Sequence, residues 1–568
     1  MQQQDTGQLR KQHYQQALAA LLEPLFDAGS AEYLANALLA LKAPPRNVRP
    51  QQRNGCMLIT YGDSIRANDE PPLATLSRFL KRHLGKMVSG VHILPFFPSS
   101  SDDGFAVIDY RRVDHHLGDW GHIEALAKDY DLMVDLVINH CSRESLWFAD
   151  FINGRDPGRR YFITLPEESD TSAVIRPRST PLISAVHTYG GIRHVWNTFS
   201  DDQIDLDFSN PAVLREFAEI LLYYAQHGAR WIRLDAIAFL WKRLGTSCLN
   251  LPETHAVVKA LRLLLSYLKA DVRLVTEANV PHEENVSYFG DGDEAHMVYQ
   301  FSLAPLLLYS YVFGDASYLT TWAARLEPPP AGATFLNFLA SHDGIGLRPL
   351  EGLVPEAGVS RLVKAMHERG GFVTLRQTAD GQKPYEINIA LFSAFGGERH
   401  NLNAYLGAHT LLLSFQGIPA VYVHSLLASR NDLDLVEQTG RTRSINRGHW
   451  SLQELELLLD DEQSVQAKTL AHFNRISRCR EAQPAFSLEA AQKIFPSPPG
   501  VFAMAREHPQ QAILVIASVI DKPQHVPLGG IGLQSGRYQD QLTQTYVEIS
   551  EELLLKPYEV LWLQTHPN

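Results

Sequence analysis

The sequence contains few cysteines, and none of them stands in a pattern typical of a metal site or a disulfide framework. The four cysteines among its 568 residues, Cys56, Cys141, Cys248 and Cys479, are far apart and form no C-x-x-C pair. The 23 histidines form no H-E-x-x-H motif. We therefore expect no metal and no cofactor, and the low cysteine content favours a reducing, cytoplasmic compartment.

Long apolar runs and an excess of positive charge are also missing. No run of about 20 apolar residues occurs, and the N-terminal segment is polar and rich in Gln, so we predict neither a membrane-spanning helix nor a signal peptide. Lys and Arg number 51 against 63 Asp and Glu, a net charge of −12, which disfavours binding to nucleic acid or to an anionic membrane. The partners we expect are small molecules, and a homodimer is a further expectation.

Short apolar runs recur from residue 56 onward, each bounded by a polar or Gly-rich turn, which is typical of buried parallel strands. Amphipathic stretches at 73–84, 211–227 and 254–268 separate several of them and are typical of outer helices. The eight runs lie at 56–61, 90–97, 132–139, 229–238, 272–278, 296–301, 333–341 and 418–423. We predict an α/β fold, a (β/α)8 TIM barrel, with a doubly wound parallel sheet as the alternative.

Two long segments interrupt this repeat, and both ends of the chain differ from it. One insertion, 141–199, follows the third strand, and a second, 344–389, follows the seventh; insertions of this length are usually functional. Residues 486–568 contain runs of β-branched residues and predict a small C-terminal antiparallel β-domain. Residues 1–50 predict a helical extension, which leaves 51–140 and 200–485 for the catalytic barrel.

Carboxylates stand where three of the predicted strands end, on the face of such a barrel that carries the active site. Asp235 ends the fourth strand, Glu277 the fifth and Asp343 the seventh. Arg233 lies on the same face of its strand as Asp235, and we expect it to lower the pKa of that carboxyl group and keep it ionised. Covalent glycosyl transfer needs one ionised carboxylate and one protonated carboxyl group, and we assign these parts to Asp235 and Glu277.

Each of these residues also has a purely structural interpretation. An isolated Arg-x-Asp is as often an ion pair between strands, and a lone histidine such as His140 or His342 is more often a core residue. Their positions beside Asn139 and Asp343 favour a site that binds hydroxyl groups, because such side chains offer both donors and acceptors.

Six motifs in the predicted strand order resemble those of the α-amylase superfamily. They are GVHILPFFP at 90–98, DDGF at 102–105, DLVINH at 135–140, WIRLDA at 231–236, TE at 276–277 and SHDG at 341–344. Within that superfamily the chain resembles the sucrose phosphorylase group, through GTSC at 245–248, RPR at 176–178 and INR at 445–447. The resemblance covers about residues 56–480 and extends weakly into the C-terminal β-domain.

The resemblance implies a role for each matching residue. Asp235 is the implied nucleophile, Glu277 the general acid/base and Asp343 the stabiliser of the transition state. The implied glucose subsite consists of Asp102, Phe105, His140, Gln203, Arg233, His342 and Arg447, with Asp102 and Arg447 paired at its far end. This pair would close the pocket beyond one sugar unit. Arg178 and Tyr385 are the implied contacts of phosphate and the leaving group.

Three residues depart from sucrose phosphorylases on the acceptor side and bear on the substrate. They are Arg348, Lys383, and Glu386 where those enzymes usually have glutamine, and we assign all three to phosphate or acceptor binding. With the other departures they resemble the glucosylglycerate phosphorylases, whose aglycone carboxylate would need an extra cation. The implied reaction is 2-O-α-D-glucosyl-D-glycerate plus phosphate to α-D-glucose 1-phosphate plus D-glycerate, through a β-glucosyl-enzyme.

Other readings stay open at this point. Sucrose, glucosylglycerol and sucrose 6-phosphate phosphorylases share the glucose subsite, and a hydrolase or transglucosidase would use the same intermediate. A barrel that binds sugar without catalysis would lack one of the three carboxylates, all of which are present. Some members of the superfamily hold calcium near the first insertion, which the sucrose phosphorylase group generally does not.

Overall fold

The eight apolar runs form a closed barrel in the computed structural model, which describes residues 2–44, 55–178, 180–378, 381–397 and 402–565. Each strand pairs with its neighbours in parallel, and the eighth pairs with the first. The predicted TIM barrel is confirmed and the doubly wound sheet is excluded. The barrel strands are β1 Met57–Thr60, β2 Gly90–Ile93, β3 Asp131–Val137, β4 Ala229–Asp235, β5 Arg273–Thr276, β6 Met297–Tyr299, β7 Thr334–Asn337 and β8 Ile418–Tyr422.

Helices cover the outside of the barrel, which is why its strands are apolar on both faces. In Pro211–Gln226 the Asn210 side chain accepts a hydrogen bond from the Ala212 N–H, and proline fills the first position, as helix starts favour. The other longer helices of the barrel are Pro72–Phe79, Trp120–Asp129, Pro252–Leu268, Leu303–Phe313, Ser317–Ala323, Leu402–Leu412 and Val465–Glu481. In the described residues, no helix combines the length and the apolar composition that a membrane span requires.

The first insertion contains helix Leu146–Asn153 and an antiparallel sheet of Thr164–Leu165, Ile183–Thr188 and Gly191–Trp196. Strand Gln203–Asp205 at its end pairs with His140–Ser142, directly after β3. The second insertion is helix Glu356–Glu368 and a hairpin, Phe372–Thr378 with Gly381–Asn388, that also pairs with Ile345–Gly346. Both insertions therefore begin at the carboxyl ends of barrel strands.

The ends of the chain add a helical hairpin and a β-sheet. Helices Gln2–Leu22 and Ala28–Leu39 pack on the barrel, where Arg10 Nη2 donates to the Tyr267 carbonyl at 2.6 Å. The predicted boundary at residue 50 lies outside the described residues. The C-terminal antiparallel sheet is confirmed, with the strand order Ala491–Phe495, Val501–His508, Gln511–Ser518, Val560–Thr565, Gly536–Asp540 and Tyr546–Ile549. A two-stranded sheet, Gln524–Pro527 with Glu552–Leu555, completes this region.

Candidate active site

A pocket lies at the carboxyl ends of the barrel strands, where the sequence predicts the active site. It holds about 700 Å³ of empty space, including its open mouth. Asp235 at the end of β4, Glu277 after β5 and Asp343 after β7 all line it. Carboxyl groups from three different strands therefore meet in one cavity, as the fold allows.

The buried guanidinium of Arg233 joins two of these carboxyl groups to the barrel interior. Its Nη1 donates to Asp235 Oδ1 at 2.7 Å and also to Asp135 Oδ1 on the neighbouring strand β3. Its Nη2 lies 3.6 Å from Glu277 Oε2. On the far side, His92 Nε2 lies 2.6 Å from Asp135 Oδ2. Since the side chains of Asp135 and His92 are 0% exposed, loss of one partner leaves a buried charge uncompensated.

Burial raises the pKa of Asp235 and that of Glu277 above the ordinary range of carboxyl groups. The attraction of Arg233 opposes burial at Asp235, but the negative charges of Glu277 and Asp135 reinforce it. The expectation that Arg233 gives Asp235 a lowered pKa is therefore wrong, because one guanidinium is shared by three buried carboxyl groups. Two neighbouring carboxyl groups with raised pKa values retain a proton that a single exposed group would lose.

The backbone after β4 links Asp235 to Glu277. The Ala236 N–H donates to Glu277 Oε2 at 3.0 Å. Ala236 has a φ of 52°, in the left-handed region that residues other than glycine seldom adopt. Strain of this kind persists at functional sites where the surroundings enforce it. Here the strained residue supplies an N–H to the carboxyl group on the adjacent strand.

Asp343 lies among cationic side chains and differs electrostatically from the other two carboxyl groups. Burial alone would raise its pKa, but Arg443, His342 and Arg447 outweigh burial and hold the pKa below its usual range. Arg443 Nη1 lies 2.7 Å from Asp343 Oδ1, and Arg447 Nη2 lies 3.5 Å from the same atom. Asp343 therefore stays ionised at neutral pH, while Asp235 and Glu277 share the proton that their pair retains.

The predicted Asp102–Arg447 pair does not form, and of these two residues only Asp102 lines the pocket. Arg447 Nη1 binds Asp103 Oδ2 at 2.5 Å, whereas the predicted partner, Asp102, accepts a hydrogen bond from Gln203 Nε2 at 3.1 Å. Both aspartates have positive φ values, 53° for Asp102 and 49° for Asp103, in one tight turn. The turn directs the two carboxylates to different partners, which a sequence motif does not reveal.

The remaining predicted glucose-subsite residues lie together. The rings of Phe105 and His342 stack with centroids 5.0 Å apart and planes 6° from parallel. Gln203 Nε2 lies 3.1 Å from His140 Nε2. Burial lowers the pKa of His140 and of His342, so both rings are neutral at neutral pH. Phe105, His140, Gln203 and His342 all line the pocket, together with Asp102.

Three of the five predicted acceptor residues also line the pocket: Arg178, Tyr385 and Glu386. Within the described part of the chain Arg178 makes no ion pair, so its charge is available to an anion. Burial raises the pKa of Tyr385 to about 12, which keeps its hydroxyl protonated. Both carboxylate oxygens of Glu386 accept hydrogen bonds from Arg443, each at 2.8 Å.

The structure does not bring the other two, Arg348 and Lys383, into the pocket. Arg348 is buried behind it in a short 3-10 helix, and its Nε lies 3.8 Å from Glu351 Oε1. Lys383 lies two residues from Tyr385 along the hairpin, and its half-exposed side chain lies 3.4 Å from Glu356. Two residues of extended strand span about 7 Å, enough to carry Lys383 away from the site. Their placement corrects the sequence-based assignment.

A lysine neutralises the junction between the barrel and the first insertion. Lys242 Nζ lies 2.7 Å from Asp205 Oδ2 and 2.6 Å from Asn139 Oδ1. The Thr198 N–H donates to Asp205 Oδ1 at 2.8 Å. The oxygens that would otherwise attract a cation here are already paired with an ammonium group.

One group in the described residues places three potential metal-binding atoms close together, Asp114, His115 and His116. Both histidine side chains are largely exposed, and the group lies outside the pocket lining.

Several residues that contribute to the site were not identified from the sequence. Arg443 binds two carboxylates of the pocket, and Asn279 lines it two residues after Glu277. Arg443 stands four residues before Arg447, and this proximity to a predicted site residue could have indicated its role. No sequence feature predicted which aromatic and apolar residues line the pocket, namely Pro177, Phe199, Phe239 and Phe301.

Comparisons with known proteins agree with this geometry. Residues 80–322 match the family described as alpha amylase, catalytic domain. The chain is 44% identical to a glucosylglycerate phosphorylase of Allomeiothermus silvanus over 89% of this chain and 90% of that protein. It is 28% identical to a sucrose phosphorylase of Streptococcus mutans over 86% and 97% of the two chains.

A solved structure extends the agreement to three dimensions. The sucrose 6F-phosphate phosphorylase from Thermoanaerobacter thermosaccharolyticum superposes with a TM-score of 0.74 at 27% sequence identity. The match covers 89% of this chain and 98% of that one. The chain belongs to the α-amylase superfamily and, within it, to the sucrose phosphorylase group that includes the glucosylglycerate phosphorylases.

Proposed function

We propose that this protein is a retaining glucoside phosphorylase that converts 2-O-α-D-glucosyl-D-glycerate and phosphate into α-D-glucose 1-phosphate and D-glycerate. The convergence of Asp235, Glu277 and Asp343 on one pocket carries the reaction type. Arg178 lies beside them and makes no ion pair with any residue that the structure describes. The higher identity to a glucosylglycerate phosphorylase than to a sucrose phosphorylase favours glycerate as the aglycone.

The glucose unit binds at the inner end of the pocket. The neutral His140 and His342 and the amide of Gln203 offer hydrogen bonds to hydroxyl groups, and Phe105 supplies an apolar surface for the ring. Arg447 and Asp103 do not line the pocket themselves, but Arg447 contacts Asp343, which does. We infer that this pair closes the subsite beyond one sugar unit, so that single glucosyl groups are transferred.

In the first half-reaction the one proton that the Asp235–Glu277 pair retains lies on Glu277, which donates it to the glycosidic oxygen while the ionised Asp235 attacks the anomeric carbon. The bond to glycerate breaks and a β-glucosyl ester of Asp235 forms. The raised pKa of Glu277 keeps that proton available near neutral pH. The ionised Asp343 stabilises the positive charge that develops on the sugar.

In the second half-reaction a phosphate oxygen attacks the anomeric carbon from the face that glycerate left. The ester bond to Asp235 breaks, and Glu277, now ionised, takes up the proton of the attacking phosphate. Two inversions give α-glucose 1-phosphate with retention. Arg178 and the protonated Tyr385 contact first the glycerate carboxylate and then phosphate.

The substrate assignment is tested with a panel of donors. Glucosylglycerate, sucrose, glucosylglycerol and sucrose 6-phosphate are each incubated with phosphate, and glucose 1-phosphate is quantified. We expect kcat/KM to be highest for glucosylglycerate, and a higher value for sucrose would make sucrose phosphorylase, the alternative, the better assignment. Equal glucose release with and without phosphate would identify a hydrolase instead.

Location and assembly are further parts of the proposal. All four cysteines are free, which supports a cytoplasmic location. A homodimer is the oligomeric state we expect, and light scattering of the purified protein measures it.

A further inference from the structure

Arg443 lies between two carboxylates, Asp343 and Glu386, and binds both. Its Nη1 is 2.7 Å from Asp343 Oδ1. Its Nε and Nη2 donate to the two oxygens of Glu386, each at 2.8 Å. This two-point contact matches the planar fork of a guanidinium and fixes its orientation, which an ammonium group cannot do.

The two carboxylates differ in their access to ligand. The side chain of Glu386 is 1% exposed, whereas that of Asp343 is 26% exposed in the pocket. Glu386 thus anchors Arg443 from the protein side, and Asp343 faces the substrate. Because both carboxylates already neutralise Arg443, its charge is not available to phosphate, in contrast to that of Arg178.

Asp343 has a second cationic neighbour, Arg447, and the neutral ring of His342 beside it, but Arg443 is the closest of its cations. Arg447 Nη2 is 3.5 Å and His342 Nε2 is 3.4 Å from a carboxylate oxygen of Asp343. Other charged or titratable groups interact with it electrostatically, namely Arg233, Asp235, Glu277, Tyr61, Tyr299 and Tyr422. Among the groups that oppose burial and lower the pKa of Asp343, Arg443 acts most strongly.

We propose that Arg443, anchored by Glu386, is a positioning residue that holds the Asp343 carboxylate directed at the bound sugar. The inference rests on the proposed function, in which Asp343 stabilises the transition state. It assigns to Glu386 the anchoring of Arg443 in place of the direct acceptor contact predicted from the sequence. The same ion pair fastens the hairpin strand Gly381–Asn388, which carries Tyr385, to the turn Thr442–Asn446.

Arg443→Gln is the variant that tests this role. We expect kcat/KM for the glucoside to fall about 10- to 100-fold, since a displacement of about 1 Å at a reacting centre has an effect of that size. The acidic limb of the kcat/KM profile should move to higher pH, because Asp343 loses its nearest cation and its pKa rises. KM for phosphate should change by less than tenfold, which corresponds to less than about 1.4 kcal/mol of binding free energy.

Three further variants sharpen the test. Arg443→Lys restores a charge without the fork, so it should return the acidic limb toward wild type and leave kcat/KM low. Glu386→Gln keeps the shape of the anchor but removes its charge. We expect kcat/KM to fall by less than in Arg443→Gln, and the acidic limb not to move to higher pH, because the charge of Arg443 stays beside Asp343. Arg215→Gln removes an exposed arginine that pairs with Glu219 at 3.0 Å, and it serves as the matched control without effect.

The outcomes separate this proposal from its rivals. A large rise in KM for phosphate with an unmoved acidic limb would show that Arg443 binds the acceptor directly and would overturn the proposal. Unchanged kinetics in Arg443→Gln would overturn it as well. The pH profiles are also measured on the phosphate-free hydrolysis of an aryl α-glucoside, so the role of Arg443 is tested even if phosphorolysis of glucosylglycerate is not found.

Discussion

Replacement of Asp135 by Asn tests whether the buried ion-pair network sets both the stability of the barrel and the protonation of its carboxyl groups. Asp135 is 0% exposed and binds Arg233 and His92. The variant keeps the shape and one acceptor oxygen but leaves the buried guanidinium without its main partner. Breaking a buried pair in this way costs about 3–5 kcal/mol. With an unfolding entropy proportional to chain length, this lowers Tm by about 3–4 °C in a chain of this size.

The same change acts on Asp235. The charge of Asp135 raises the pKa of Asp235, and its removal also leaves Arg233 to the remaining carboxyl groups. The pKa of the Asp235–Glu277 pair should therefore fall, and the basic limb of the kcat/KM profile should move to lower pH. Scanning calorimetry and a pH profile of phosphorolysis measure the two effects on one preparation.

A matched control is Asp129→Asn, which removes an exposed aspartate 2.9 Å from Lys81. Exposed pairs contribute about 0–1 kcal/mol, so Tm and pH profile should stay as in the wild type. An Asp135→Asn variant with unchanged Tm, or with a basic limb moved to higher pH, would refute the reasoning about the network.

Three further changes follow from the site. Asp235→Asn should reduce turnover by about 10⁴-fold or more. The raised pKa of Asp235 makes its contribution to stability favourable at low pH, and this contribution is lost as the pH rises. The Tm of the variant should therefore fall less between acidic and alkaline pH than the Tm of the wild type. In Gly346→Ala the new Cβ would lie 2.7 Å from Asn279 Oδ1, so the side chain of Asn279, which lines the pocket, must move. We expect KM for the acceptor to rise in the direction of synthesis, while hydrolysis of an aryl glucoside is retained. Lys242→Met leaves the 0% exposed carboxylate of Asp205 unpaired, and we expect a loss of about 3–5 kcal/mol, with faster proteolysis within 141–199.

Controls for these variants come from other parts of the chain. Gly529→Ala places a methyl group where nothing lies within 4 Å, so acceptor kinetics should not change. A Gly346→Ala variant with wild-type acceptor kinetics would show that the position of Asn279 in the pocket does not affect acceptor binding. An Asp235→Asn variant that retains turnover, or whose Tm depends on pH as the wild type does, would contradict the role or the raised pKa of Asp235. Wild-type Tm in Lys242→Met would show that the junction does not depend on the ammonium group.

The barrel was predictable because its strands are short runs of mainly apolar residues and its catalytic residues follow at the strand ends. The strand positions alone were enough to predict that Asp235, Glu277 and Asp343 lie close together, since the carboxyl ends of parallel strands meet at one rim. The direction of the pKa of Asp235 was not predictable from the adjacent arginine. It depends on how many buried carboxyl groups share that arginine, a property of the folded interior.

Residues on turns and insertions were the ones that sequence reasoning misplaced. The Asp102–Arg447 pair depended on which of two adjacent aspartates a left-handed turn directs at the arginine, and the structure selects Asp103. Arg348 and Lys383 were chosen for their charge, but their direction is set by a 3-10 helix and by their distance along a hairpin. Arg443 was not predicted as a site residue, because its partners Asp343 and Glu386 lie on segments that are distant from it in the sequence.

³¹P and ¹H nuclear magnetic resonance of the products formed from glucosylglycerate and inorganic phosphate shows whether the enzyme is a retaining phosphorylase. We expect one equivalent of α-glucose 1-phosphate for each D-glycerate released, with no β anomer and no free glucose while phosphate is in excess. Free glucose as the main product, or β-glucose 1-phosphate, would contradict a retaining phosphorylase built on Asp235 and Glu277.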